Sequence, residues 1–117
     1  MHRMFWLLIA MTGSVLGAEI DRPAALTALQ RPDVVLLDVR TEQEYAEGAL
    51  PGATRIETQD LAERITSVAP EKDAPVVLYC RSGRRSSAAQ DLLRELGYSQ
   101  VINAGGYQDL KAIVPPR

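Results

Sequence analysis

Residues 76–86 read VVLYCRSGRRS, an apolar run that stops at Cys80 and gives way to a loop of glycine and arginine. An apolar run of this length is typical of a strand buried on both faces, as in a parallel sheet with helices above and below. The apolar residues within 89–96 then follow the spacing of one helical face, and Gly97 is a typical helix end. The sequence therefore places the thiol of Cys80 between a strand end and a helix start.

Other apolar runs extend this pattern in both directions along the chain. Residues 34–39 and residues 101–102 predict further buried strands, and the second of these leads into the glycine pair 105–106. Short strands that alternate with helices predict an α/β fold, with a mostly parallel central sheet, helices on both faces and a single domain. Ligands of such sheets bind beyond the carboxyl ends of the strands, so we expect Asp38, Cys80 and the glycine pair at one edge.

Polar residues mark the expected starts of the other helices. Asp21 is a typical cap for a first helix, and Thr41 with Glu44 forms the pattern of a capping box. Thr58 is predicted to cap a third helix, and a final amphipathic segment is predicted over residues 107–114. These segments are interpreted as scaffold.

The amino-terminal residues 1–18 have the pattern of a secretory signal peptide: an early positive charge, an apolar stretch and small residues before a cleavage position after Ala18. A membrane anchor is the alternative, but the apolar part is shorter than the about 20 residues that a spanning helix needs. We therefore expect a signal peptide over 1–18, a folded domain over 19–117, export to a bacterial periplasm, and no membrane association after cleavage.

Charge and histidine content narrow the chemistry of the domain. The chain has a formal net charge of −2, and removal of Arg3 with the signal peptide leaves 12 basic against 15 acidic side chains, a charge of −3. The single histidine, His2, leaves with it. A Cys-His pair, a Ser-His-Asp triad and a His-ligated zinc are thereby excluded in the mature domain, and we expect no metal or other cofactor. A mildly acidic domain also makes nucleic acid an unexpected partner.

The loop after Cys80 suits a reactive thiolate. The pKa of a thiol falls beside arginines and at a helix amino terminus. Gly83 allows the loop to adopt a positive φ, so that consecutive N–H groups can turn inward as an anion-binding nest. The alternative is a small buried cysteine, with Gly83 in an ordinary turn and the arginines on a solvated surface.

The spacing of the loop separates two cysteine chemistries. Cysteine-dependent phosphatases place an arginine six residues after the cysteine, where it grips the phosphoryl group. That position is Ser86 in this chain, and the arginines stand at positions 81, 84 and 85. The shorter loop suits an anion about the size of one sulfur atom.

Over residues 34–110 the chain resembles the rhodanese-like single-domain sulfurtransferases, because it carries seven of their short motifs in the same order. The motifs are DVR at 38–40, EY at 44–45, G at 48, PGA at 51–53, YCRSGRRS at 79–86, GY at 97–98 and GG at 105–106. The resemblance implies the rhodanese fold and the activity of a thiosulfate sulfurtransferase. In such an enzyme, Cys80 would accept the sulfane sulfur of thiosulfate as a persulfide and pass it to cyanide or a thiol.

This interpretation gives each site residue a role. Cys80 is catalytic, and the expected substrate-binding residues are Arg81, Ser82, Gly83, Arg84 and Arg85. Their amides cradle the sulfur, and the side chains of Arg81 and Arg84 attract the substrate dianion. Arg85 has an alternative role as a brace between the loop and Asp38. Asp38 and Arg40 are supporting residues, with Arg40 and Glu44 expected to form an internal ion pair.

The expected partners are a small-molecule sulfur donor and acceptor, with a protein thiol as an alternative acceptor. Two other functions remain open from the sequence. One is a non-enzymatic sulfur-carrier or rhodanese-like binding module, and the other is a cysteine phosphatase or an arsenate-reductase-like enzyme.

Overall fold

Within residues 19–115, four parallel strands form the centre of the fold, in the order β2-β1-β3-β4. The computed structural model describes residues 19–115, so the predicted signal peptide lies outside the described residues. The strands are β1 (Val35–Asp38), β2 (Thr54–Arg55), β3 (Val76–Cys80) and β4 (Val101–Gly106). The predicted parallel sheet is confirmed.

Helices cover both faces of the sheet, as predicted. They are α1 (Arg22–Ala28), α2 (Glu42–Ala46), α3 (Leu61–Val68), α4 (Arg84–Glu95) and α5 (Tyr107–Leu110). Because side chains alternate along a strand, β3 contributes to two core clusters. Leu78 and Cys80 pack on the face that α3 and α4 cover. Val77 and Tyr79 pack on the opposite face, with α1 and α5.

The helix starts agree with the capping predictions at two of three positions. The Asp21 carboxylate accepts the N–H of Ala24 at 3.1 Å, and Thr41 and Glu44 form the predicted capping box. The prediction for Thr58 is wrong, because residues 58–60 form a 3₁₀ turn before α3 begins. Within the described chain, the buried Thr58 hydroxyl has no hydrogen-bond partner.

The pairing of β3 with β4 contains an irregularity next to the loop. Leu78 pairs with Asn103, whereas Cys80 pairs with Gly106, so β4 has one more residue than β3 between the two pairs. Such a bulge bends a strand and changes where its side chains point. After β4, helix α5 ends at Leu110 and does not continue to residue 114, although Val114 is buried in the same core cluster.

Candidate active site

Cys80 lies at the carboxyl end of β3, fully buried, with its sulfur at the start of α4. The N–H of Gly83 donates to Sγ at 2.9 Å, and the hydroxyl of Ser86 lies 3.5 Å from Sγ. Gly83 has a φ of 99°, in the left-handed region that glycine adopts most readily. The predicted positive φ is therefore present, and with it a backbone donor on the sulfur.

Donors from the loop and from the first turn of α4 converge on Cys80. We call this group, formed by Cys80, Ser82, Gly83 and Ser86, the sulfur nest. Burial raises the pKa of the Cys80 thiol, but hydrogen bonds from the Ser86 hydroxyl and from the N–H groups of Ser86, Gly83 and Ser82 outweigh it. The pKa of Cys80 is consequently lowered. Among the described residues no side chain caps α4, which leaves the donors of its first turn available to the sulfur.

The three loop arginines differ in their surroundings. Arg81 and Arg84 are exposed, and within residues 19–115 neither forms an ion pair. Arg85 is half-buried and donates to both carboxylate oxygens of Glu44, at 2.9 and 3.0 Å. The prediction that Arg85 could brace the loop against Asp38 is thus wrong about the partner. The brace runs to Glu44 because the start of α2 brings that carboxylate beside the loop.

Glu44 joins two structural tasks in one side chain. Its carboxylate accepts the Thr41 N–H at 2.9 Å in the capping box while it also accepts from Arg85. The hydrogen bonds from Arg85, together with those from Thr41, lower the pKa of Glu44 to about 2. The carboxylate therefore stays ionised across the neutral and mildly acidic range, and it holds Arg85 in place.

Beside the nest lies a second group, which we call the Asp38 cluster. It comprises the buried Asp38, Arg40 and Tyr79 and the partly buried Tyr107. Arg40 donates to Asp38 at 2.6 to 3.1 Å and to the Gly48 carbonyl at 2.7 Å. The Tyr79 hydroxyl donates to Asp38 at 2.6 Å, and the Arg40 guanidinium lies 4.4 Å from the Tyr107 ring centroid.

These contacts correct one prediction about Arg40. The expected ion pair between Arg40 and Glu44 is absent from the described chain, because Arg40 turns back to the carboxylate of Asp38. Both members of that pair are almost completely buried. Asp38 and Arg40 therefore satisfy each other at the sheet edge, and Tyr79 links the pair to the strand that carries Cys80.

A cleft of about 350 Å³ opens beside the loop. Arg40 and Arg81 line one part of it, and Tyr107 and Lys111 line another. Arg81 and Lys111 are exposed cations of this lining, to which Glu44 and Glu47 also contribute carboxylates, so the cleft carries both charges next to the active loop. Sequence reasoning did not predict the contribution of α5 to this cleft.

Asn103 is the main site residue that sequence reasoning missed. Its side chain is fully buried and contacts Gly83, Ser86 and Ser87. A polar residue inside the apolar strand pattern at 101–106 is a signal that could have found it, because a buried amide needs hydrogen-bond partners.

Across residues 19–115, no group of three or more His, Cys, Asp or Glu side chains is arranged to hold a metal ion. No helix in that part of the chain has the length and apolar character needed to cross a membrane.

Known proteins share both the sequence pattern and the fold. The family model of the rhodanese-like domain matches residues 22–113. The thiosulfate sulfurtransferase PspE of Escherichia coli (strain K12) is 39% identical over 74 residues, which cover 63% of this chain and 71% of that protein. A sulfurtransferase of Allochromatium vinosum is 39% identical over 89 residues, or 75% and 81% of the two chains. A solved rhodanese with anions from E. coli has a TM-score of 0.66 and 36% identity, over 70% of this chain and 94% of that chain.

A parallel α/β sheet with a buried cysteine at a strand end and a loop of backbone donors is an arrangement that suits a reactive cysteine thiolate. The chain belongs to the rhodanese-like family. Its similarity to sulfurtransferases supports a transferase. The predicted resemblance to the rhodanese-like single-domain sulfurtransferases is confirmed, and PspE, or phage shock protein E, is such a relative.

Proposed function

We propose that this chain is a thiosulfate sulfurtransferase that works through a persulfide on Cys80. The observation that carries the proposal is the sulfur nest: a buried thiol whose pKa is lowered by converging hydrogen-bond donors. The thiosulfate sulfurtransferase activity of the PspE relative supports the choice of donor. The chain would then need no separate base, because the nest itself favours the thiolate.

The proposed reaction has two balanced halves. In the first, the Cys80 thiolate attacks the sulfane sulfur of thiosulfate, a sulfur–sulfur bond forms, and the bond to the sulfonate sulfur breaks. Sulfite leaves with the electron pair, and Cys80 becomes a persulfide. In the second, an acceptor such as cyanide attacks the outer sulfur, thiocyanate leaves, and the thiolate returns.

The loop residues have distinct roles in this proposal. The N–H groups of Ser82 and Gly83 and the donors of Ser86 hold negative charge on sulfur. The exposed side chains of Arg81 and Arg84 attract the thiosulfate dianion toward the buried thiol. Arg85 is engaged by Glu44, so its part is to hold the loop in shape.

We propose in addition that the protein is exported and processed after Ala18, to act in a bacterial periplasm. The pattern of residues 1–18 supports this proposal. Expression of the full chain followed by cell fractionation and amino-terminal sequencing tests it. Recovery of a periplasmic protein that begins at Glu19 is the expected result, and an unprocessed chain in the cytoplasm would contradict it.

A thiosulfate:cyanide transfer assay with sulfite detection tests the activity. Wild type should release sulfite and thiocyanate in equal amounts, and Cys80→Ser should release neither. Arg81→Ala should raise KM for thiosulfate about fivefold with little change in kcat, because it removes recruitment of the anion and leaves the chemical step intact. Arg64→Ala, which removes an exposed arginine of α3, is the matched control and should behave as wild type.

Two outcomes would overturn the proposed activity. A stable persulfide with negligible turnover toward small acceptors would indicate a sulfur-carrier or binding module. Hydrolysis of an aryl phosphate that depends on Cys80, without sulfur transfer, would indicate a phosphatase.

A further inference from the structure

The side chain of Asn103 connects the bulge of β4 with the loop that surrounds the sulfur. Its Oδ1 accepts the N–H of Gly105 at 2.9 Å, a local bond that stabilises the bulge. Its Nδ2 donates to the Gly83 carbonyl at 3.2 Å and to the Ser87 hydroxyl at 2.9 Å. Asn103 therefore ties the sheet edge to the residue that donates to Cys80.

Asn103 also contacts the hydroxyl that lies beside the sulfur. The oxygen of Ser86 is 2.7 Å from Asn103 Oδ1, 3.1 Å from the Gly83 carbonyl and 3.5 Å from Cys80 Sγ. A hydroxyl has one hydrogen to donate, so these three acceptors compete for it. The state of the sulfur decides the competition, because a hydrogen bond to an ionised acceptor is about twice as strong as a neutral one.

The competing acceptors keep other donors when this hydrogen bond moves to the sulfur. When the Ser86 hydroxyl turns to a thiolate, Asn103 Oδ1 still accepts from Gly105. The Gly83 carbonyl still accepts from Asn103 Nδ2 and from Ser87. No buried acceptor is then left without a donor, and an unmatched buried group would cost about 1–3 kcal/mol.

We infer that Asn103 is a positioning residue that holds the Ser86 hydroxyl beside Cys80, within reach of the thiolate. This inference deepens the proposed function, since it concerns how the same sulfur is activated. Without Asn103, the Ser86 oxygen loses its 2.7 Å contact with Oδ1, and the hydroxyl is no longer held beside the sulfur. The thiolate would then lose the side-chain donor that Asn103 holds in place.

Several elements near the loop carry charged groups, and these groups stay constant in the test. The Asp38–Arg40 pair comes from the end of β1, Glu44 from α2, Arg81 from the loop, and Arg84 and Arg85 from the start of α4. Strand β4 contributes no charged side chain. A substitution at the neutral Asn103 therefore changes the ionisation of Cys80 through hydrogen bonds and not through charge.

The test measures the ionisation of Cys80 without any sulfur donor, by the pH dependence of alkylation and by thiolate absorbance. Asn103→Ala should lower the thiolate fraction about tenfold at a pH below the pKa, the effect of one lost charge-assisted hydrogen bond. Ser86→Ala should do the same, and the double variant should be no worse than either single variant. Asn103→Leu, which keeps the buried volume, should match Asn103→Ala.

Gln90→Ala is the matched control. Gln90 is also buried, and its side chain ties α4 to β4 through the Val101 carbonyl at 2.9 Å and not through the nest. The Gln90→Ala substitution should lower the stability of the protein and leave the thiolate fraction of Cys80 unchanged. An unchanged or raised thiolate fraction in both Asn103 variants would overturn the inference, as would a full effect of Asn103→Ala when Ser86 is already alanine. Because no substrate is present, these results are independent of whether the chain uses thiosulfate.

Discussion

Two buried polar groups lie side by side at the carboxyl edge of the sheet, and they differ in how their hydrogen-bonding groups are matched. In the Asp38 cluster, a carboxylate meets a guanidinium at 2.6 Å and a tyrosine hydroxyl also at 2.6 Å, so charges and donors are paired within the protein. In the sulfur nest, several donors converge on one sulfur that can be a thiol, a thiolate or a persulfide.

At this one edge of the sheet, the Asp38 cluster stabilises the structure and the sulfur nest controls the chemistry. A buried charge with a full set of partners holds neighbouring elements in place, and its removal leaves the partner charge unmatched. A group of donors around an ionisable atom favours one protonation state, and its removal alters reactivity more than folding. The two groups should therefore respond to substitution in different measurements.

The largest expected effect on stability is in the Asp38 cluster. Arg40→Ala should reduce the free energy of unfolding by about 3–5 kcal/mol, because it leaves the buried Asp38 carboxylate without its countercharge. Arg40→Lys should lose less stability, since it retains the charge but not the bidentate hydrogen bonding to Asp38. Urea unfolding measures both. Arg22→Ala breaks the exposed pair with Asp109 and should cost less than about 1 kcal/mol; equal losses at positions 22 and 40 would contradict this account.

Substitution of Gly83 in the sulfur nest should change both the stability of the protein and the reactivity of Cys80. Gly83→Ala forces a residue with a Cβ into a φ of 99° and should cost about 1–2 kcal/mol. It should also lower the reactivity of Cys80 near neutral pH, because a shift of this turn moves a donor away from the sulfur. Gly97 has a φ of 100° but lies at the other end of α4. Gly97→Ala should show a similar loss of stability with unchanged alkylation of Cys80, and a matching loss of alkylation would refute the role of Gly83.

The brace between Glu44 and Arg85 should appear as a pH-dependent stability. The pKa of Glu44 is lowered to about 2 in the folded chain, against about 4.3 when unfolded. Its contribution is thus fully present above about pH 4.3 and is lost as the pH falls toward 2. Because Arg85 is 38% exposed, the contribution should be only about 1 kcal/mol. Glu44→Gln should lose this amount near neutral pH and match wild type near pH 2; a constant difference across that range would argue against the brace.

Much of the fold was predictable because it rests on local patterns. The apolar runs at 76–80 and 34–39 have the length and composition of buried strands, and each ends at a charged or reactive residue. Parallel order follows from the helices between them, and this order brings Asp38 and Cys80 to one edge. The position of Gly83 in the loop likewise predicts its positive φ.

The partners of the charged residues were not predictable from spacing. Arg40 precedes the capping residue Thr41 and so lies outside α2, where the distance to Glu44 along the chain says little about contact. Arg85 and Glu44 are separated by 41 residues and meet only through the packing of the loop on α2. The role of Asn103 depends on a bulge, and one extra residue in a strand has no clear mark in the sequence.

The most direct test of the central claim is the intact mass of the protein after treatment with thiosulfate and removal of small molecules. The chain contains one cysteine, so a persulfide has a single possible position. Wild type should gain the mass of one sulfur atom and lose it on addition of cyanide. The Cys80→Ser variant should show no gain in mass. No added sulfur on wild type, or equal addition to Cys80→Ser, would contradict the assignment of Cys80 as the sulfur-carrying nucleophile.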